Sequence, residues 1–261
     1  MEKKKLLPAI AGAMILTGGL AASTAQAGQC LPHSDACGKQ GQGQARSENK
    51  PEVQYFRGAE AVAQLFSNPE GQSYGHWAAD WVKWAVSIPA ANNPMNDSTG
   101  EFCGERQTGK VWFLAGAWGQ GSVERSCTIP AGKSLFFPLV NAFYAAALNE
   151  NVSDDDARAQ VAFCNDAQFA LVEIDGRKVA KPARYFTGPS GNQSPLFSGQ
   201  LPPDNIWNVS TTDAPELGLS PMAEQGYYLF VRPLSPGQHQ IKWSVSGCTS
   251  QQDITYNLIV K

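Results

Sequence analysis

The 261-residue chain is 43% hydrophobic, contains six cysteines and carries a formal net charge of −3 at neutral pH. A chain of this length can bury a sizeable core in one large domain. Its slight excess of acid gives no electrostatic attraction for nucleic acid or for an anionic membrane surface, so neither is an expected partner.

The first residues have the pattern of an export signal. Three lysines at positions 3–5 precede an apolar run from Leu6 to about Ala22, and the small-residue sequence AQA follows. A basic start, an apolar run too short to span a bilayer comfortably and a small-residue cleavage site are typical of a secretory signal peptide. We predict that residues 1–27 are a signal peptide and that the mature protein is secreted or periplasmic, without a membrane span. An uncleaved anchor is the alternative, but Pro8 interrupts its apolar run.

The next segment is polar. Residues 28–51 are rich in glycine and glutamine and have almost no apolar periodicity. This composition predicts a flexible leader ahead of the folded part of the chain.

Three segments have helical spacing. Residues 58–68 place apolar side chains at compatible intervals, and residues 74–86 do so more regularly and end before Pro89. Residues 153–167 begin with Ser153, a favourable N-cap, followed by three aspartates that complement the helix dipole. We therefore expect two or three helices.

The remaining segments have the short apolar or alternating runs of β-strands. The predicted strands cover residues 110–118, 122–130, 133–141, 227–234, 239–247 and 253–261, with a hairpin arm over 168–180. Glycine and proline turns separate them, and the last two alternate apolar and polar residues. Pro138 favours a sheet edge or a strand end at its position. The pattern predicts a mainly β fold for residues 52–261, a single jelly-roll-like β-sandwich domain that carries two or three helices.

The segment 74–86 contains three tryptophans, Trp77, Trp81 and Trp84, that share one helical face. The rest of the helix is apolar except for one narrow stripe, which is typical of a buried helix. We therefore interpret the rings as core packing rather than as a platform on which a sugar stacks.

The polar stripe of this helix is formed by His76, Asp80, Lys83 and Ser87. It is the candidate ligand-binding site if it faces a cleft, and His76 with Asp80 could then supply general acid–base catalysis. The simpler interpretation is a solvent-facing edge on which Asp80 and Lys83 form an ion pair worth about 0.3–0.5 kcal/mol.

Other acids are weaker catalytic candidates. Glu101 and Glu105 could supply the paired carboxylates of glycoside hydrolysis, although solvated surface acids are the commoner case. The sequence contains no nucleophile-elbow, zinc-protease or phosphate-loop motif. A Ser/His/Asp arrangement stays open, because its members come together only in the fold.

All six cysteines follow the predicted signal peptide. An even number in an exported chain indicates disulfides, and six cysteines allow 15 pairings. We predict the pairs Cys30–Cys37, Cys103–Cys127 and Cys164–Cys248. Because no C-x-x-C pair occurs and the chain has three histidines, no metal site and no cofactor are expected.

Three stretches resemble other exported proteins. They are HWAADWVKWAVSIP, SCTIPAGKSLFFPLVN and YYLFVRPLSPGQHQIKW, with the pattern W-x-x-x-W-x-x-W-x-x-S-I-P and a P-A-G-K block. Over most of residues 70–261 the chain resembles an uncharacterised family of exported bacterial proteins with no established activity. The resemblance implies export and assigns no catalytic residue.

Export, a rigid sandwich, many aromatic side chains and the lack of a recognisable catalytic set favour a binding protein. The expected partner is an extracellular glycan or another cell-envelope component. Two alternatives stay open: an extracytoplasmic hydrolase that uses His76 and Asp80 or paired carboxylates, and a structural or host-interaction protein.

Overall fold

The computed structural model describes residues 53–118, 121–148, 150–189, 192–209 and 217–261, which belong to one compact unit. The predicted signal peptide and leader, residues 1–51, lie outside the described residues. No helix in the described part of the chain has the length and apolar composition needed to cross a membrane.

The helices and strands of the described residues follow one another in a mostly β order. They are α1 (Tyr74–Ser87), β1 (Val111–Phe113), β2 (Gly121–Ile129), β3 (Ser134–Ala147), α2 (Asp154–Ala159), β4 (Gln168–Ile174), β5 (Arg177–Lys178), β6 (Phe197–Leu201), β7 (Leu217–Val231), β8 (Gly237–Gly247) and β9 (Ser250–Val260). Short 3-10 helices cover Gly58–Ala61, Pro69–Gly71, Ala90–Asn92 and Pro182–Arg184.

These strands form two sheets, so the prediction of a mainly β sandwich with two or three helices is confirmed, with two α-helices in the described residues. The first sheet has the order β1-β3-β7-β6, and the second has the order β2-β9-β8-β4-β5. β1 runs parallel to β3 and β2 runs parallel to β9, whereas the other described pairs are antiparallel. The parallel pairs are a feature that the jelly-roll-like prediction did not include.

The first sheet is covered on both faces. On one face Phe137 of β3 stacks on Trp243 of β8 with ring centroids 5.0 Å apart, and this contact joins the two sheets. On the other face Phe136 stacks on Tyr228 at 5.2 Å, and Trp81 of α1 packs edge-on against Tyr228 at 6.4 Å. Burial from both sides explains why β3 and residues 227–231 of β7 are nearly continuous apolar runs.

Residues 58–68 do not form the predicted helix. Only a 3-10 turn over Gly58–Ala61 is present, and Val62 then makes a β-bridge with Val231 of β7. Gly58 has a φ of +56°, a left-handed conformation that does not belong in an α-helix. Contact with the sheet therefore outweighs a weak helical spacing in this segment.

Two other predicted elements are shorter than expected. The third predicted helix is reduced to α2, although Ser153 Oγ accepts from the N–H of Asp156 at 3.1 Å as an N-cap should. The predicted strand 110–118 is reduced to β1, because the N–H groups of Ala115 and Ala117 donate to side chains of the second sheet. Strand β6 was not predicted.

Pro138 lies inside β3 rather than at its end. β1 pairs with β3 only over Ser134–Phe136, so Pro138 has no neighbour in β1. A shift in the pairing with β7 follows between Pro138 and Val140. The sheet edge that the sequence indicated is therefore present locally, where β1 has ended.

Two disulfides lie in the described residues, Cys103–Cys127 and Cys164–Cys248, and both are pairs that the sequence predicted. The third predicted pair, Cys30–Cys37, lies outside the described residues. Cys248 and Thr249 form the two-residue turn between β8 and β9, with φ values of +51° and +60°. Both residues have the left-handed conformation of a type I′ hairpin turn, and the bond to Cys164 holds that turn in place.

Candidate ligand-binding groove

The helix α1 begins at an N-cap and is buried along most of its length. Ser73 Oγ accepts from the backbone N–H of His76 at 3.3 Å. Each of the three indole N–H groups donates to a backbone carbonyl at 2.9 Å. Trp81 is 1% exposed and Trp84 is buried, while Trp77 is half-buried. Buried rings with satisfied N–H groups are core residues, as the sequence indicated.

A groove of about 830 Å³ runs along the polar stripe of α1, and we name it the α1 groove. It is lined by Trp77, Asp80, Lys83, Trp84 and Ser87 of α1, by Arg106, Thr108, Gly109, Lys110, Val111 and Phe113, and by Leu148, Ser198, Gly199, Gln200, Gly218 and Leu219. Three of the four stripe residues therefore face a concave surface.

The stripe residues in the groove are held by short polar contacts. Lys83 Nζ lies 2.5 Å from Asp80 Oδ1, and Gln72 Nε2 donates to Asp80 Oδ2 at 3.5 Å. Ser87 Oγ donates to the carbonyl of Trp84 at 2.9 Å. The Lys83 and Asp80 side chains keep 42% and 32% of their surface exposed, so both can still reach a ligand.

The opposite wall of the groove adds two cations that the sequence did not single out. Lys110 Nζ is 3.7 Å from Glu70 Oε2, which is a weak pairing. Arg106 is exposed, and its guanidinium makes no hydrogen bond or ion pair within the described residues. With Lys83, the lining therefore contains three cations and one carboxylate, that of Asp80. Since Asp80 pairs with Lys83 and Glu70 lies beside Lys110, the groove has a small net positive charge, which comes from Arg106, on a chain whose net charge is negative.

On the β6–β7 side of the groove, two lining positions are glycines without side chains. A Cβ on Gly199 would lie 2.9 Å from Met222 Sδ, and a Cβ on Gly218 would collide with the side chain of Leu148. Glycine at these positions lets the side chains of Met222 and Leu148 pack directly on the strand backbones.

The structure separates the remaining candidates from the groove. His76 is exposed in the first turn of α1, where its Nδ1 lies 2.9 Å from Ser73 Oγ, and it does not line the groove. Glu101 and Glu105 also lie outside the lining, and Glu105 contributes only its backbone carbonyl, to the indole of Trp84. The acid–base pair His76–Asp80 is therefore not assembled in the groove.

One Ser/His/Asp set does come together, at the start of β8. His239 Nδ1 is 2.8 Å from Asp175 Oδ2, and its Nε2 is 2.7 Å from the carbonyl oxygen of Ser235. Because Nε2 must carry a proton to bond that carbonyl, it cannot accept the proton of the Ser235 hydroxyl, which lies 3.5 Å away. The cluster therefore holds the β4–β5 turn against β8 and does not form a catalytic triad.

The Asp175 carboxylate is stabilised at this junction. Burial raises the pKa of Asp175, but hydrogen bonds from His239 and from the N–H groups of Gln240 and Gly58 outweigh it, so the net pKa is lowered. The Asp175 carboxylate therefore stays ionised at pH values somewhat below its ordinary pKa.

Glu224 of β7 is a second buried acid with the opposite behaviour. It is fully buried, and burial raises its pKa to about 7. The hydroxyl groups of Tyr228, Ser194 and Thr187 and the charge of Arg158 oppose this shift without cancelling it. Its neighbours in the sequence carry no signal that would distinguish Glu224 from a surface acid.

In the described residues, no group of three or more His, Cys, Asp or Glu side chains is arranged to hold a metal ion. Comparison of the chain with protein-family models, with curated proteins and with solved structures gave no match. The chemistry of the α1 groove is therefore the guide to function.

Proposed function

We propose that the protein binds an acidic glycan, or another acidic component of the cell envelope, in the α1 groove. The observation that carries this proposal is the composition of the lining, which places Lys83, Arg106 and Lys110 around two tryptophan rings and opposes them with one carboxylate. The two disulfides are consistent with an extracytoplasmic location, where such glycans occur.

The cations match the chemistry of acidic sugars. A guanidinium can donate two parallel hydrogen bonds to one carboxylate or sulfate, and Arg106 has no other partner within the described residues to compete for it. Each hydrogen bond to a charged group contributes about 1.5–3 kcal/mol. Trp77 supplies apolar surface beside them for the C–H face of a sugar ring.

The described lining of the groove does not supply the pair of carboxyl groups that glycoside hydrolysis needs, and this favours binding over hydrolysis. Glycoside hydrolysis uses two carboxyl groups about 5–9.5 Å apart on either side of the scissile bond. Among the described lining residues, Asp80 is the single carboxylate, and it is already paired with Lys83.

Calorimetric titration of the full chain with alginate, a polyuronate, and with neutral dextran tests the proposal. We expect alginate to bind and dextran to bind at least about tenfold more weakly, since each lost charged contact is worth more than 1.4 kcal/mol. Arg106→Ala should weaken alginate binding by about tenfold or more.

The matched control is Arg57→Ala, because Arg57 is also exposed, makes no side-chain hydrogen bond or ion pair within the described residues and does not line the groove. It removes the same charge elsewhere and should change the affinity by less than about twofold. Equal losses in the two variants, or equal affinity of the wild type for alginate and dextran, would show that the groove is not the site and would favour a structural role.

A further inference from the structure

A second cleft, of about 370 Å³, lies beside β3 at Pro138–Phe143, beyond the point where β1 ends opposite Phe136. We name it the β3 cleft. Its other walls come from Gly116–Trp118, from Phe163 and from the turn between β8 and β9. The β3 cleft shares no lining residue with the α1 groove. Its volume falls within the range of small-molecule sites, which is about 300–1,000 Å³.

Aromatic rings form a tilted wall at this cleft. Trp118 is 43% exposed, and its ring lies 6.1 Å from that of Phe143 at an interplanar angle of 50°. Phe143 in turn contacts Trp207 at 5.9 Å and 44°. Tilted rings do not enclose a flat aromatic ligand between two parallel faces, which leaves it a single stacked or edge-to-face contact. A puckered ring with C–H groups on several sides fits a tilted wall better.

The polar groups of the cleft are amides and hydroxyls. Asn141 Nδ2 donates to the hydroxyl of Tyr228 at 2.9 Å, and Asn141 Oδ1 accepts no hydrogen bond within the described part of the chain. Gln252 uses its amide to bond both the N–H and the carbonyl of Ala117, at 2.8 and 3.2 Å. The contacts of Gln252 fix the segment that carries Trp118. The contact of Asn141 uses only its Nδ2, so Asn141 Oδ1 is the acceptor for a ligand hydroxyl.

No charged side chain lines the β3 cleft within the described residues. A charged ligand would lose its hydration there without gaining a counter-charge, so an uncharged ligand is favoured. An uncharged ligand with hydroxyl donors and C–H faces meets the chemistry of the cleft on every wall.

We propose that the β3 cleft binds one uncharged sugar ring, stacked on Trp118 with a hydroxyl donated to Asn141 Oδ1. This site is separate from the α1 groove, and the proposal does not depend on what the groove binds.

Saturation-transfer NMR on the full chain tests the proposal with four probes, the methyl glycosides of glucose, galactose, mannose and N-acetylglucosamine, and with adenine as a flat-ring comparator. We expect transfer to at least one glycoside, strongest at the C–H protons of one ring face. Trp118→Ala should weaken that binding by about tenfold, because the sugar would lose the aromatic ring on which it stacks.

Phe66→Ala is the matched control, since Phe66 is an aromatic ring with 71% exposure that lines neither site. It should leave glycoside binding within about twofold of the wild type. Asn141→Leu removes the acceptor at similar size and should weaken binding by about fivefold or more. Unchanged alginate binding by the Trp118→Ala variant would show that its fold and the α1 groove are intact, so failure of one proposal is distinguishable from failure of the other.

Three results would overturn the proposal: no transfer to any of the four glycosides, tighter binding of adenine than of every glycoside, or equal losses in Trp118→Ala and Phe66→Ala.

Discussion

The α1 groove and the β3 cleft are built from the same kind of ring in different electrical surroundings. Trp77 and Trp84 line the wide groove among three cations and a carboxylate, whereas Trp81 and Trp118 line the smaller cleft among amides and hydroxyls. An aromatic ring offers a similar surface at both sites. On the two proposals made above, the groups around a tryptophan, more than the ring itself, set the charge class of the ligand.

The largest effect is expected at the helix that serves both sites. Trp81→Ala should lower the free energy of unfolding by about 3–5 kcal/mol and abolish binding at both sites, because α1 would lose its packing on Tyr228 and its bond to the Leu114 carbonyl. Urea denaturation measures the change. Trp118→Ala, at an exposed ring, should cost less than about 1 kcal/mol. Similar costs for the two variants would contradict the assignment of Trp81 to the core.

The two sites also differ in what lies behind them. Asn141 in the β3 cleft contacts Tyr228, whose hydroxyl lies close enough to Glu224 to affect its pKa, while the ions lining the α1 groove are exposed or half-buried. The pKa of Glu224 is raised from 4.5 to about 7 in the folded protein. Its protonated form therefore stabilises the fold fully below pH 4.5, and this contribution is lost as the pH rises through 7.

Glu224→Gln is expected to remove this pH dependence. The lost contribution at pH 8 amounts to about 3 kcal/mol, at about 1.36 kcal/mol for each pKa unit. Unfolding curves at pH 5 and pH 8 should show a smaller difference for the variant than for the wild type, with Arg158 as the nearby charge that limits the effect. If the free energy of unfolding differs between pH 5 and pH 8 by the same amount in Glu224→Gln and in the wild type, another group is responsible for the pH dependence.

Salt should weaken binding at the α1 groove more than at the β3 cleft, and this effect is expected to be smaller than those above. Raising the ionic strength from about 0.1 M to about 1 M shortens the screening length from about 10 Å to about 3 Å. Alginate binding at the α1 groove should weaken by about tenfold, while glycoside binding at the β3 cleft should stay within about twofold. Calorimetry at both salt concentrations checks this. Equal salt dependence would mean that charge does not distinguish the sites.

The smallest effect is expected from a substitution on the β6–β7 side of the α1 groove. Gly218→Ala adds a methyl group that meets the side chain of Leu148, which is exposed and can move aside. The variant should lose less than about 1 kcal/mol of stability and about two- to threefold in alginate affinity, with glycoside binding unchanged. If Gly218→Ala weakened only glycoside binding, Gly218 would not be part of the alginate site.

The sequence predicted the elements whose patterns are local. The alternation at Ile241, Trp243 and Val245 defines the inward face of β8, and the wheel of α1 correctly buries Trp81. Such features depend on neighbours in the sequence, so periodicity is enough to find them. The predicted pairs Cys103–Cys127 and Cys164–Cys248 are also formed, but Cys164–Cys248 spans a sequence separation of 84, so no local pattern selects it from the 15 possible pairings.

The lining of the groove and the existence of the β3 cleft were not predicted, because both depend on how distant segments of the chain end and pack together. A helical wheel places His76 in line with Asp80, but the lining elements reach only as far as Trp77, so His76 stays outside the groove. Arg106 and Lys110 join the site because their segment crosses α1, which no spacing indicates. The β3 cleft exists because β1 stops at Phe113, where the next residues turn to bond the second sheet.

The disulfide Cys103–Cys127 spans a sequence separation of 24 residues, and the segment it closes supplies walls to both sites. Arg106 and Lys110 line the α1 groove, and Gly116–Trp118 lines the β3 cleft. On the chain-entropy account, closing such a loop is worth roughly 3–4 kcal/mol. Reduction of Cys103 and Cys127 should therefore lower the free energy of unfolding by about that amount, and the segment that walls both the groove and the cleft would lose its covalent tie to β2.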